Sequence, residues 1–486
     1  MPRPQLSQPS ADILRRAAAL TPPQRGAWAF TLRSITPVLG GGVRPWEPDR
    51  VDVVRAPGIR GQLRWWWRLL YAEDGEDPEA LFRREAELWG GVDVPCAKAG
   101  EPARAVRSRV ALRVVVTAQG KVEPAGQHER NNHQNLRPAA SWPGVRAELS
   151  YALFPLQRPK EELQAAQGAA GNLPTRDLRE GLEFTLHVQT DGLRAEEADQ
   201  VLGAVWMWAH FGGLGARTRR GFGALRVKSA VVPDLWRPMY AGISSANDFI
   251  ARLQSLSTLG CIPARSRLWR CRLLYGKPGQ VGRAHGQLVG ALRDLRQGKA
   301  LGRDPGGARP GPSRWPEPHL LRIKAEGQGR PLRWAHSPDV VRGVSAKLRV
   351  PRAAFGLPIL VQFKDDPPPA SQDSPANATI KPVGPDGQTR ERWASPLHLR
   401  PVGLTTPEMA LPVALVLPER PERLRIEFRG HAADAAVSGD GTGARGDILS
   451  LLQSARGDAI LAYASLLKDE GFALLAWPTA PAGGAR

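Results

Sequence analysis

Apolar and polar positions in the first half of the chain follow a definite succession. WAFTLRSIT (28–36) alternates like a strand and runs into Gly40, Gly41 and Gly42. GIRGQLRWWWRLLYA (58–72) places Ile59, Leu63, Trp66, Trp67 and Leu70 on one face, which predicts a helix that Pro57 starts. An acidic amphipathic helix is predicted at about 77–89 and a strand at SRVALRVVVTA (108–118). A polar insertion follows at 119–147. ELSYALFPL (148–156) reads as a further strand and 157–181 as a loose, partly helical connector. EFTLHVQT (183–190) is a strand, and Ala195–Phe211 a helix with Val201, Val205 and Trp208 at helical spacing. A last strand lies near 223–230. Without its insertions this order is β-α-β-β-α-β, the ferredoxin-like arrangement also used by RNA-recognition modules.

The second half is less regular. SRLWRCRLLYG (266–276) predicts a strand and AHGQLVGALRDLRQGK (284–299) a helix. FGLPILVQF, SPLHLRPV, ALPVALVLP and ERLRIEFRG supply four more strand candidates, and about 446–468 a helix. Glycine- and proline-rich loops are expected at 300–318 and 366–389. The expectation is an α+β chain of two ferredoxin-like (RRM-like) domains with long loop insertions. Residues 1–235 form the first and 236–486 the second, degenerate one.

The most informative local segment is GLGARTRRGFG, from Gly213 to Gly223. Two Gly-apolar-Gly triplets, Gly213–Gly215 and Gly221–Gly223, flank Arg217, Arg219 and Arg220. Glycines allow positive φ and close main-chain approach, and successive N–H groups can then form an anion-binding concavity. Arginines add fork-shaped donors suited to phosphate. A dinucleotide fingerprint is excluded by position, since that motif follows a strand and opens a helix. Here the loop closes a helix and leads into a strand. The plainer alternative is a glycine C-cap with a hairpin, which needs one glycine and no arginine.

Charge strengthens the phosphate reading. The net charge is +20, and residues 201–350 hold 26 lysines and arginines against 7 acidic residues, nearly the whole of that excess. Such clustering predicts a footprint for a polyanion. In the 58–72 helix, Arg60, Arg64 and Arg68 repeat every four residues after Arg55, with no Asp or Glu at i±4 to neutralise them. A solvated face is the bland reading, and bound phosphate the one favoured here. Trp65 falls off the core stripe and is expected under a loop or at a subunit interface. Cys96, Cys261 and Cys271 lack CxxC spacing, so neither structural zinc nor a disulfide framework is expected. No apolar run reaches membrane-helix length, no signal peptide is evident, and the expected location is the cytoplasm.

TPVLGGGV (36–43), RAPGIRGQLRWWWR (55–68) and GGLGARTRRGFGAL (212–225) together resemble the signature segments of the RAMP superfamily of CRISPR-associated proteins. The RGQLRWWWR segment resembles most the family of first subunits of the type III-B Cmr effector complex, and FGLPI (355–359) and ASPLHLRP (394–401) resemble its C-terminal domain more weakly. The resemblance implies two ferredoxin-like folds and a non-catalytic, cofactor-free subunit in antiviral defence. Its implied partners are CRISPR guide RNA, target RNA near the guide 3′ end, and the other Cmr protein subunits. Carried over by position, the RNA-binding candidates are Gly40, Gly41, Gly42, Arg55, Arg60, Arg64, Arg68, Gly213, Gly215, Arg217, Arg219, Arg220, Gly221 and Gly223.

Two alternatives belong to other classes. Some RAMP proteins are metal-independent endoribonucleases with a histidine acid or base, for which His128, His133 and His210 are the available imidazoles. A purely structural scaffold would bind RNA weakly and without the steep salt dependence of phosphate contacts. Metal catalysis has little support, because Glu73, Asp74, Glu76 and Asp77 read as a solvated helix entry.

Overall fold

The computed structural model describes residues 26–42, 47–98, 100–129, 132–138, 149, 151–156, 158, 162, 173–298, 301–304, 313–320, 349–361, 377–428, 431–438 and 444–475. The first sheet takes β1 (Ala27–Ser34), then α1 (Ala56–Tyr71) and α2 (Pro78–Trp89) follow, then β2 (Val110–Ala118) and β3 (Glu183–Thr190), α3 (Ala195–Phe211) and β4 (Leu225–Val231). Its strands are ordered β4-β1-β3-β2, all antiparallel, so the first strand lies between the third and the fourth. That is the order a β-α-β-β-α-β chain adopts when its two halves interlock. Alternation drives it: Trp28, Phe30 and Leu32 on β1 and Phe184, Leu186 and Val188 on β3 are buried. The helices obey the same logic. Ile59, Leu63, Trp66, Trp67 and Leu70 of α1 are buried as the stripe predicted, and α3 is buried along its length from Val201. Glu197 in the first turn of α3 receives both Arg109 nitrogens at 2.9 Å. Burial alone would raise its pKa, but Arg109 and Arg194 outweigh burial and hold it at about 2.

After α4 (Ala246–Leu259) comes β5 (Arg272–Tyr275), and α5 (Val281–Gln297) follows; β6 (Leu397–Gly403), β7 (Met409–Val416), α6 (Gly446–Ser454), α7 (Ala459–Asp469) and β8 (Ala473–Leu475) complete the series. In the second sheet β7 pairs with β6, and β5 lies between β7 and β8. Read across, the order β6-β7-β5-β8 repeats the permutation of the first sheet. A separate antiparallel meander joins Ile359–Val361, Ala378–Val383, Arg423–Phe428 and His431–Ala436 in chain order. The molecule is thus a mixed α/β fold of several small antiparallel sheets with helices.

Several local expectations change. The described residues between 149 and 156 form turns, with a 3-10 turn at Phe154–Leu156, in place of a strand. The strand predicted over 266–276 is shortened, because Ser266 caps a 3-10 turn at Arg267–Arg270. The helix predicted over 446–468 breaks in two where Gly457 takes φ 78° and Asp458 caps α7. The connector 157–181 contains the strand Asp177–Glu180, and the 119–147 insertion contains Lys121–Pro124 and the hairpin Gly126–Glu129 with Asn132–Pro138. Residues 130–131 and 139–147 of that insertion, and much of the loops at 300–318 and 366–389, lie outside the described residues. By compactness the chain divides into one unit running to Val289, with His398–Leu415 and the segment from Leu474, and another of Gly290–Leu397 with Val416–Ala473. The boundary anticipated at 235/236 lies inside the first of these.

Candidate nucleic-acid interface

Within the first unit, three chain segments far apart in sequence meet at one cleft of about 360 Å³. Gly40 and Gly41 come from the turn after β1, Arg55 and Gln62 from the start of α1, and Gly215 and Ala216 from the loop after α3. The loop is held there by its own hydrogen bonds. Ala216 N–H donates to the Leu39 carbonyl at 2.7 Å, Gly223 N–H to that of Pro37 at 2.7 Å and Leu214 N–H to that of Gly223 at 3.0 Å. The Thr36 hydroxyl donates to the Gly221 carbonyl at 2.7 Å and accepts from Ala224 N–H at 2.8 Å. Phe222, between the last two glycines, is fully buried beside Leu39 and Leu178 and anchors the loop in the core.

These bonds correct the reason for the glycines. Gly215 and Gly223 take φ of 73° and 62°. A Cβ at Gly215 would run into the Leu39 carbonyl and one at Gly223 into that of Leu214. The glycines let the chain fold against itself, and the amides of Leu214, Ala216, Arg220, Gly221, Phe222 and Gly223 all donate within the protein. An open amide concavity is therefore not built from them. What the loop presents is side-chain charge on a rigid backbone, with Arg217 itself at φ 60°.

The Arg219 guanidinium lies 5.5 Å over the Trp65 ring, and Trp65 stacks on His398 at 5.2 Å. Trp65, expected under a loop or at an interface, is thus a strut inside its own unit, joining α1 to the loop. Arg220 is buried. Its carbonyl accepts from His285 Nε2 at 2.6 Å, and Leu399 N–H donates to the Arg219 carbonyl at 3.2 Å. Behind the loop sits Arg400, fully buried, donating to the carbonyls of Gly212, Ala209 (2.8 Å) and Leu225 (3.2 Å). It closes the C-terminal end of α3, where a cation suits the helix dipole. Burial lowers its pKa to about 9, which leaves it charged at neutral pH. His285, His398 and Arg400 carry no local sequence signal for this role: His285 and Arg400 stand 65 to 191 residues from their hydrogen-bond partners, and His398 is more distant still from Trp65.

The arginine series on α1 is occupied differently from expectation. Arg60 donates to Ser108 Oγ (2.8 Å) and the carbonyls of Val110 (2.8 Å) and Trp89 (3.2 Å). Arg64 and Arg68 both clasp Glu85 of α2, each at 2.5 Å, and Glu85 is fully buried. The carboxylate missing at i±4 is supplied by the next helix. Replacing Arg64 and Arg68 together by Ala leaves that carboxylate buried and unpaired, with an expected loss of about 3 kcal/mol in urea unfolding. Adding Glu85→Leu should restore much of it; equal stability of the double variant and the parent would refute the pairing.

Arg55 bonds Asp49 at 2.8 Å and Asp52 at 3.2 Å. Burial raises the Asp49 pKa, but the Val51 and Asp52 amides and Arg55 outweigh it and hold it below its ordinary value. Gly42 closes the turn, donating to the Glu47 carbonyl at 3.2 Å.

The three candidate histidines fall in two places. His128 and His133 lie on the two strands of the 126–138 hairpin. His210 is buried in the last turn of α3, and desolvation drives its pKa to about 3 despite the hydrogen bond to the Trp206 carbonyl. At neutral pH it is therefore the uncharged imidazole. Among the described residues no three His, Cys, Asp or Glu cluster as a metal site, and no helix is long and apolar enough to cross a membrane.

A β-α-β-β-α-β sheet carrying a glycine–arginine loop against the first helix defines the class. Residues 31–226 match the model of the RAMP superfamily. Among solved structures, the chain is similar to Cmr1 from Pyrococcus furiosus at 15% identity, covering 88% of this chain and 96% of that one with a TM-score of 0.41. It is also similar to a chain of a type III-B Cmr-beta complex bound to cognate target RNA, at 12% identity, 90% and 100% coverage and a TM-score of 0.42. A chain of a type IV-B CRISPR complex aligns over 43% of this chain and 91% of that one, at 13% identity and a TM-score of 0.24. No curated protein sequence matches.

Proposed function

We propose that the chain is a non-catalytic RNA-binding subunit of a type III-B CRISPR effector complex, working in the cytoplasm with guide RNA, target RNA and other Cmr subunits. The first sheet and the second, five-stranded one then belong to ferredoxin-like domains, the first within 1–235 and the second within 236–486. One observation carries the reading: the three segments that resemble RAMP signatures converge on one cleft, whose lining residue Ala216 directly precedes Arg217 in the chain. Gly40, Gly41, Gly42, Arg55 and the loop Gly213–Gly223 form the proposed RNA contact and its frame. Arg60, Arg64 and Arg68 support it from α1. Phosphate contacts of this kind hold a strand without reading its bases.

The test is binding of a single-stranded RNA to the purified chain across a salt series. Arg217→Ala with Arg219→Ala should weaken binding at least about tenfold and flatten the log–log salt slope by roughly 0.7 per lost contact. Arg220 is left in place because it is buried. Unchanged affinity and slope in a folded double variant would overturn the reading.

A further inference from the structure

A second cleft of about 320 Å³ lies at the edge strand β4, away from the glycine–arginine loop's cleft in its lining residues. Leu225, Val227, Ile243 and Leu404 give it apolar walls, and Arg226 and Lys228 of β4 stand at it as cations. His210 lines it as well, although the residue is only 6% exposed. Nδ1 of that ring is 2.8 Å from the Trp206 carbonyl, which can only accept, so Nδ1 carries the proton. Nε2 is the nitrogen left to a ligand, and it is an acceptor. The ring cannot swing away, being packed on Trp206 at 4.4 Å and near Phe249 at 6.4 Å.

The framework around the cleft is built closely. Arg226 Nη1 donates to the Leu404 carbonyl at 3.2 Å, and its stem lies against Gly403, where a Cβ would crowd it. Thr405 N–H donates to the Ile243 carbonyl at 2.7 Å, joining the two walls. Lys228 pairs with Glu183 at 3.1 Å, which sets its position without burying it.

We propose that this cleft is a separate binding site for a single nucleotide, whose base edge donates to His210 Nε2 and whose phosphate meets Arg226 and Lys228. Three features select that ligand class. A fixed acceptor demands a donor, as the exocyclic amine of adenine or cytosine provides. Apolar walls accept the flat base faces. Arg226, beside a Lys228 that Glu183 pairs, leaves net positive charge at the other end, which favours an anion there. The volume, at the lower end for small-molecule sites, suits one nucleotide rather than a strand. A free mononucleotide and the terminal nucleotide of an RNA share this chemistry. The inference does not rest on the RNA reading of the other cleft.

Titration calorimetry of the full chain with 5′-AMP, adenosine and ribose 5-phosphate tests it. The expected result is that 5′-AMP binds and each half binds about tenfold more weakly or not at all. His210→Phe keeps the ring packing and removes Nε2, so it should weaken 5′-AMP about fivefold while leaving ribose 5-phosphate unchanged. Lys228→Gln should weaken both, and it lies on the exposed surface, so it decides the matter even if the His210 variant does not fold. Failure of 5′-AMP to bind, or binding no tighter than ribose 5-phosphate, overturns the proposal. Displacement of 5′-AMP by a short RNA from the Arg217/Arg219 double-Ala variant assigns the site to a strand end. Retention assigns it to the free nucleotide.

Discussion

Replacing Arg400 by Met should cost about 4 kcal/mol of stability and release the glycine–arginine loop. Arg400 is fully buried with no ion pair to a carboxylate among the described residues, and its donors serve the carbonyls of Ala209, Gly212 and Leu225. Met fills similar volume but leaves these acceptors dry, and an orphaned buried polar group costs about 1–3 kcal/mol. Two of the acceptors belong to the end of α3 and one to β4, so the loop between them loses the bolt that closes it. Arg400→Lys should recover only part, because one ammonium cannot span three divergent carbonyls as a guanidinium does. Urea midpoints measure the stability, and RNA affinity in the same variants reports the loop. A Met variant as stable as the parent would show that the carbonyls find other partners.

Mild acid should destabilise the protein before its carboxylates protonate. Desolvation lowers the pKa of His210 to about 3 and of His285 to about 4, in each case against a hydrogen-bonded carbonyl that pulls the other way. His398 is lowered well below its ordinary value by burial first, then by Arg219, while the Phe211 carbonyl opposes and Arg220 and Arg400 add to the lowering. In the unfolded chain each imidazole titrates near about 6.5. Below that pH the unfolded state binds protons that the folded state refuses, so stability falls as pH falls. The stabilisation is complete above about pH 6.5 and is lost on descent toward the folded values, each histidine contributing about 1.4 kcal/mol per pH unit. Glu197, held at about 2, adds its own loss only at lower pH. Urea midpoints between pH 7.5 and 4.5 should therefore drop steeply. His285→Gln keeps a donor for the Arg220 carbonyl and removes one titrating group, so its profile should be shallower. Identical profiles for parent and variant would contradict the assignment.

Much of this was legible from residue order. The alternation in 28–36 and 183–190 and the stripe on 58–72 appear as β1, β3 and α1, and the loop after Phe211 does close a helix and open a strand. Periodicity reports which side of an element faces a core, and that property is local to a dozen residues. Partners are another matter. The α1 arginines looked unneutralised because their carboxylate, Glu85, stands 17 and 21 residues away on another helix. The loop glycines looked like a ligand grip because nothing local says that Leu39 and Leu214 carbonyls crowd them.

From its residues alone this chain determines the succession of elements in the first sheet, the placement of a glycine–arginine loop after the second sheet-packing helix, and the concentration of positive charge between residues 201 and 350. Tertiary structure alone decided which of those charges support the fold and which the loop presents, because a buried charge is held by whatever packing brings within reach of it. Arg400, Glu85 and His285 meet their partners only after the sheets have formed.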